Sequence, residues 1–108
     1  MLDKSRLTFV EKDNTNTAEI ARFDKLAASW WDPNGQYQQV LAFNACRWKL
    51  IEQQITHYFS GCDLSKLNAL DVGCGGGLLC EPLARLGMTV TGVDASAMSI
   101  AVAQRHAQ

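Results

Sequence analysis

Four of the five residues from Gly73 to Gly77 are glycine, and they follow directly on a short apolar run, 68–72. That run is bounded by turn residues, which predicts a buried parallel strand. Residues 78–86 then predict a helix that ends at Gly87. A strand, a glycine-rich turn and a helix in succession predict an α/β fold. In such folds the turn lies at the carboxyl edge of the sheet, where ligands bind.

The glycine loop predicts a cradle for a ligand. Glycines permit a tight turn and let a ligand lie on the backbone, beside the free N–H groups and positive dipole of the helix start. An alternative is that these glycines serve only close packing of helix on sheet. The dinucleotide fingerprint GxGxxG would need glycine at position 78, which is Leu78. The spacing present is D-x-G-x-G-x-G, from Asp71 to Gly77.

An acidic residue follows the next predicted strand. Residues 88–94 form that strand and end in Asp94. A carboxylate there can accept hydrogen bonds from both hydroxyls of a ribose. NAD-binding folds share such an acid, so it gains weight only beside the glycine spacing. Two alternatives stay open: Asp94 caps the last helix, although Ser96 can do so, and Asp71 only accepts from loop amides.

Two helices are predicted before the glycine loop. Asn16 or Thr17, with Glu19, forms a capping signal for a helix that ends at Asp32, before Pro33. Its Trp30 and Trp31 either pack on the helix face or form a substrate platform. The second helix is expected to open near Asn44 and to leave at Gly61. Its apolar face is predicted to carry Trp48, Ile51, Ile55 and Tyr58 or Phe59.

The predicted organisation has three segments. Residues 1–15 form a flexible tail, 16–62 a helical segment, and 63–108 the ligand-binding unit. The element order is helix, helix, then β–α–β–α, so the parallel sheet has two strands.

Composition excludes several classes of protein. A net charge of −1 gives no basic field for nucleic acid, and no apolar run of about 18 residues exists for a membrane span. Without a secretion signal, the chain is expected to be cytoplasmic. The four cysteines form no CxxC pair, which predicts reduced thiols and no metal site. His57 and His106 are expected to be plain surface or packing histidines, without acidic neighbours at matching spacing.

Three stretches carry a family resemblance: "EIARFDKLAASWWDPNG", "NACRWKLI" and "LDVGCGGGLLCEPLARLGMTVTGVDAS". They resemble the ubiquinone biosynthesis O-methyltransferases, and the D-x-G-x-G-x-G loop resembles motif I of class I S-adenosylmethionine-dependent methyltransferases. The resemblance implies a Rossmann-like fold with S-adenosylmethionine as cofactor. It implies methyl transfer to phenolic hydroxyls of polyprenylated phenol or quinol substrates, of the hydroxylated polyprenylphenol and demethylubiquinol type. Cofactor contacts are expected from Arg47, Asp71, Gly73, Gly75 and Asp94.

The chain also departs from the family. The family pattern has Asn-Pro ahead of the arginine, whereas Ala45 stands in the position of that proline. A class I methyltransferase has seven strands, so the chain is expected to be the N-terminal part of such a fold, with an incomplete sheet. The substrate lid, the general base, any metal ligand and any peripheral membrane contact would belong to the remainder. No catalytic residue is assigned. Two rival interpretations are an inactive fragment or partner-binding remnant, and a nucleotide-binding Rossmann module of a dehydrogenase.

Overall fold

The computed structural model of the chain describes residues 2–10, 21–22, 25 and 28–107. The described residues of the first helix, α1, are helical at 21–22, 25 and 28–31. The other elements are β1 (Leu7–Val10), α2 (Gln38–Tyr58), β2 (Asn68–Val72), α3 (Cys80–Arg85), β3 (Thr89–Val93) and α4 (Ala97–Ala107). Short 3-10 helices, Lys4–Arg6 and Leu64–Lys66, precede β1 and β2. The predicted α/β class is confirmed.

Within the described residues, the sheet has three parallel strands in the order β1-β3-β2. The sequence predicted only β2 and β3, and it placed residues 7–10 in a flexible tail, so both expectations are wrong at this point. Leu7 and Phe9 alternate with exposed residues, and Leu7 pairs with Val90 of β3. A strand of four residues owes its stability to this pairing and to burial of one face. The local pattern alone was too short to indicate it.

One face of the sheet carries the core. The helices α3 and α4 pack there, and the buried residues of the main cluster are Cys74, Cys80, Ala84, Met88, Val90 and Ile100. On the opposite face, Val10, Leu70 and Val72 are 53%, 65% and 75% exposed. Parallel sheets are ordinarily covered on both faces, so this open face is an unusual feature of the chain.

The second helix is longer than its sequence predicted. It begins at Gln38 rather than near Asn44, because nothing between Gln38 and Tyr58 interrupts it. Ala45 keeps the backbone N–H that a proline would lack, so the helix continues through this position. Its inner face is half-buried and consists of Leu41, Asn44, Trp48, Ile51 and Ile55. The expected contribution of Tyr58 or Phe59 is wrong, since these side chains are 72% and 42% exposed.

Several helix ends lie where the sequence predicted them. The first helix stops before Asp32, and α3 begins directly after Leu79. The hydroxyl of Ser96 accepts a hydrogen bond from the Ser99 N–H at 3.1 Å and so caps α4. The capping signal at 16–19 lies outside the described residues. Within the described part of the chain, no helix combines the length and apolar character needed to cross a membrane.

Candidate cofactor site

A cavity of about 230 Å³ lies where the end of β2 and the glycine loop face α1 and α2. Four of the five predicted cofactor residues line it, namely Arg47, Asp71, Gly73 and Gly75. The rest of its lining is largely apolar and comprises Trp30, Val40, Phe43, Asn44, Val72, Cys74, Leu78 and Leu79. The fold therefore brings an arginine of α2 to the glycine loop from a position far away in the sequence.

The fifth predicted residue, Asp94, is tied to the same loop. Its Oδ2 accepts a hydrogen bond from the Gly75 N–H at 2.9 Å, and its Oδ1 accepts one from the Ser96 N–H at 2.8 Å. Since Ser96 itself caps α4, Asp94 is not needed for that task. An ionised carboxylate has about four acceptor positions, so each oxygen retains capacity for a further donor. Asp94 is thus an anchor of the loop that can still accept from a ligand.

Asp71 has both a structural contact and a place on the cavity. Its Oδ2 accepts a hydrogen bond from the thiol of Cys80 at 3.4 Å, beneath the loop. The same residue lines the cavity. The sequence left open whether Asp71 accepts from loop amides or contacts a ligand. The observed donor is a thiol rather than a loop amide, and this contact is compatible with a place for Asp71 on the cavity.

The glycines of the loop serve two different purposes. At Gly76 a Cβ would lie 3.0 Å from Cε3 and 3.1 Å from Cδ2 of Trp30, so a side chain there would have to displace the indole by a few tenths of an ångström. At Gly73 the backbone has φ of +74°, and a Cβ would meet no atom within 4 Å. Gly73 is required for the turn and faces open space beside the cavity. Packing thus accounts for one of these positions and leaves the other available for a ligand.

The two tryptophans of α1 hold the loop in different ways. The indole of Trp30 stacks on Tyr37 with ring centroids 4.8 Å apart, and it lines the cavity. The indole of Trp31 stacks on His106 at 3.6 Å, and its Nε1–H donates to the carbonyl of Gly76 at 3.2 Å. The packing interpretation of the pair is therefore supported, and Trp30 adds an aromatic wall to the cavity.

The sequence did not indicate that the acidic residue Glu81 is buried. It is 1% exposed, and its Oε2 lies 2.5 Å from Nδ1 of His106, while its Oε1 lies 3.4 Å from Arg85. The expectation that His106 is a surface or packing histidine is confirmed as packing, and its acidic neighbour lies outside the helical spacing that the sequence was searched for. That neighbour comes from another helix, so spacing within α4 could not reveal it. An acid in the first turn of α3 would ordinarily indicate an exposed partner of the helix dipole. His57 is exposed, as predicted.

All four cysteines are free thiols, two exposed (Cys46 and Cys62) and two buried beside the loop (Cys74 and Cys80). Burial raises the pKa of Cys74 to about 11, and the negative charges of Asp71 and Asp94 act in the same direction. The pKa of Cys80 is also raised, mainly by burial and secondly by the negative charge of Asp71. Both buried thiols therefore stay protonated at neutral pH, which makes them poor nucleophiles.

We expect a thiol reagent such as 5,5′-dithiobis(2-nitrobenzoate) at pH 8 to modify Cys46 and Cys62 rapidly, and all four thiols after unfolding. The raised pKa also has a consequence for stability. Between about pH 9 and pH 11 the unfolded chain loses the Cys74 proton that the folded chain retains, so the free energy of unfolding should fall over that interval. Chemical denaturation at several pH values measures this. Rapid modification of Cys74 by the thiol reagent in the native chain would contradict the first of these two expectations.

Comparison with known proteins identifies the part of the chain that contains this site. Residues 69–108 match the family model described as "Methyltransferase domain". The chain is 43% identical over 106 residues to the ubiquinone biosynthesis O-methyltransferase of Brucella ovis, which covers 94% of this chain and 43% of that protein. The corresponding proteins of a Caulobacter species and of Pelagibacter ubique are 47% identical over 95 residues and 44% identical over 100 residues.

These alignments cover 83% and 89% of this chain, and 38% and 42% of the two relatives. The chain thus spans about two fifths of the length of the curated relatives that it matches. The alignment with the Brucella ovis protein extends well beyond the methyltransferase domain match and includes both helices that precede that match. Over the part that it spans, the chain is therefore similar to ubiquinone biosynthesis O-methyltransferases, and its residues 69–108 match a methyltransferase domain.

Proposed function

We propose that this chain forms the cofactor-binding part of an S-adenosylmethionine-dependent O-methyltransferase that acts on polyprenylated phenols and quinols in ubiquinone biosynthesis. The observation that carries the proposal is the cavity at the glycine loop, because Arg47, Asp71, Gly73 and Gly75 all line it. The relatives are named as ubiquinone biosynthesis O-methyltransferases, which supports the reaction and the pathway.

The residues at the cavity suit the chemistry of this cofactor. The exposed guanidinium of Arg47 matches the carboxylate of a methionine moiety. Asp71 and Asp94 offer acceptors for an ammonium group and for ribose hydroxyls. At about 230 Å³ the cavity is smaller than most small-molecule sites, so it would hold the amino-acid and ribose portion of the cofactor.

Charge also separates this cofactor from a dinucleotide. Arg47 is the one cationic residue among the described residues that line the cavity, and the carboxylates of Asp71 and Asp94 lie at or beside the loop. Two carboxylates there would repel a pyrophosphate but would attract a cofactor that carries an ammonium and a sulfonium charge. The dehydrogenase alternative is therefore the weaker one.

The roles of the side chains follow from their places. The bound cofactor would supply a methyl group on a positively charged sulfur. Arg47 would orient its carboxylate, Asp94 would hold the Gly75 peptide while accepting from the ribose, and Trp30 with Phe43 would exclude water from one side. Such positioning is a major part of catalysis in a transfer between two bound reactants. We assign no general base among the described residues, so removal of the phenolic proton belongs to groups outside them.

The proposal is tested by calorimetric titration of the 108-residue chain with S-adenosylmethionine and, separately, with NAD. A matched pair of variants, Gly73→Ala and Gly61→Ala, locates the site. Both glycines have positive φ, +74° and +84°, and a Cβ at either would meet no atom within 4 Å. Each substitution should therefore lower the free energy of unfolding by a similar amount, about 1–2 kcal/mol.

We expect S-adenosylmethionine to bind and NAD not to bind. Gly73→Ala should weaken binding at least tenfold or so, a loss of about 1.4 kcal/mol, while Gly61→Ala leaves the dissociation constant unchanged. Preferential binding of NAD would favour the dehydrogenase module. No binding of either ligand by a folded chain would favour the inactive or partner-binding remnant.

A further inference from the structure

The indole of Trp31 connects three helices to the loop of the proposed cofactor site. Its Nε1–H donates to the Gly76 carbonyl at 3.2 Å, and its ring is parallel to that of His106 within 7°. Trp31 is not among the residues that line the cofactor cavity. Any influence of this residue on a cofactor must therefore act through the loop.

The orientation of the Trp31 indole is restricted by His106, on which it stacks. His106 of α4 is held by Glu81 of α3, whose side chain is 1% exposed and lies 2.5 Å from the imidazole. A charged group that is so deeply buried needs its partner, so this pair strongly restricts the position of the imidazole. The imidazole in turn restricts the indole that stacks on it at 3.6 Å. A single hydrogen bond to the loop thus has a rigid support.

The loop is held at two adjacent residues. Asp94 accepts from the Gly75 N–H, and Trp31 donates to the Gly76 carbonyl, so a donor and an acceptor of the loop backbone are each fixed by a side chain. Gly76 also packs closely against Trp30, whose indole a Cβ at this position would have to displace slightly. A loop whose peptides are held in this way is preorganised, and preorganisation favours binding by reducing the ordering cost.

We propose that Trp31 is a positioning residue for the cofactor loop: its indole N–H, supported by His106 and Glu81, holds the Gly76 peptide in the conformation that binds the cofactor. The consequence for the cofactor rests on the proposed function above. The competing explanation is that Trp31 only fills space between the helices.

The variant Trp31→Phe separates these explanations, because phenylalanine retains a ring for the stack but has no N–H. A matched control is Trp48→Phe, which makes the same change at a half-buried tryptophan of α2 whose indole makes no hydrogen bond to Gly76. Two quantities are measured for each: deuterium uptake by peptides that cover residues 73–79 in the cofactor-free chain, and the dissociation constant for S-adenosylmethionine. Peptides that cover β3 serve as the internal reference for global opening.

We expect Trp31→Phe to raise the exchange rate in residues 73–79 at least tenfold relative to β3, and to weaken cofactor binding about five- to thirtyfold. Trp48→Phe should change neither quantity. Unchanged loop exchange in Trp31→Phe overturns the inference, and so does faster exchange with unchanged affinity.

Failure of the proposed function is distinguishable from failure of this inference. If the wild-type chain does not bind the cofactor, the proposed function fails, and the exchange measurement alone still decides whether Trp31 holds the loop. If Trp31→Phe does not fold, the wild-type chain labelled with ¹⁵N-tryptophan supplies the decision. A slowly exchanging Trp31 Nε1–H supports the hydrogen bond to Gly76, and exchange as fast as that of free indole overturns it.

Discussion

Replacing Asp94 by alanine is expected to weaken binding of S-adenosylmethionine by about 3 kcal/mol. This corresponds to a rise of the dissociation constant by somewhat more than about a hundredfold. The substitution removes the acceptor that we propose for the ribose hydroxyls. It also removes the hydrogen bond of 2.9 Å that the Gly75 N–H donates to Asp94 Oδ2. Hydrogen bonds to a charged group contribute roughly 1.5–3 kcal/mol each, so the loss of ligand contact and loop anchor together supports an effect at the upper end.

A second aspartate provides a matched control for this experiment. Asp63 Oδ1 accepts from the Ser65 N–H at 3.0 Å, the same contact two residues ahead that Asp94 Oδ1 makes with Ser96. Asp63→Ala therefore removes an equivalent local turn without touching the glycine loop. Calorimetric titration of both variants should show the loss of affinity in Asp94→Ala only. An unchanged dissociation constant in Asp94→Ala would return this residue to a purely structural role in the loop.

The elements that the sequence predicted well are those with strong local signals. The glycine loop with β2 before it, the start of α3 next to Leu79, and the Ser96 cap of α4 all depend on residues within a few positions of each other. Each signal has a local physical cause, such as backbone conformations that favour glycine or an unpaired N–H at a helix start. Such causes act before any tertiary contact exists.

The elements that the sequence did not predict depend on distant partners. β1 exists because Leu7 and Phe9 meet β3, more than eighty residues away, and Glu81 is buried because His106 and Arg85 satisfy its carboxylate. Neither partner can be found from spacing along one helix or strand. For the site, the spacing of Asp71, Gly73 and Gly75 indicated the loop side of the cavity, and the family resemblance added Arg47. The tethers from Trp31 and Asn44 to the loop carbonyls of Gly76 and Leu78 required the fold.

The open face of the sheet has an apolar row at the carboxyl ends of its strands. Pairing places Val10 and Val72 on either side of Val93, so three valines form a row across all three strands. Leu70 lies beside this row on the same face of β2 and is 65% exposed. Burial of apolar surface contributes roughly 25 cal/mol per Å², so contact between two such faces is favourable. Within the described residues, the outer edges of β1 and β2 have no neighbouring strand, which adds a further route to association.

We therefore expect the purified 108-residue chain to self-associate at tens of micromolar and to show no methyl transfer to a catechol acceptor. The double variant Leu70→Lys with Val72→Lys should shift it towards the monomer, because two charges on this face oppose its burial. Leu50→Lys is the control, since Leu50 is 64% exposed on α2, away from the sheet. Sedimentation velocity measures the oligomeric state, and labelled S-adenosylmethionine measures turnover. A wild-type monomer with a cooperative melt and measurable turnover would show that this sheet is stable with one face uncovered. Equal dissociation by the Leu50 variant would place the contact elsewhere.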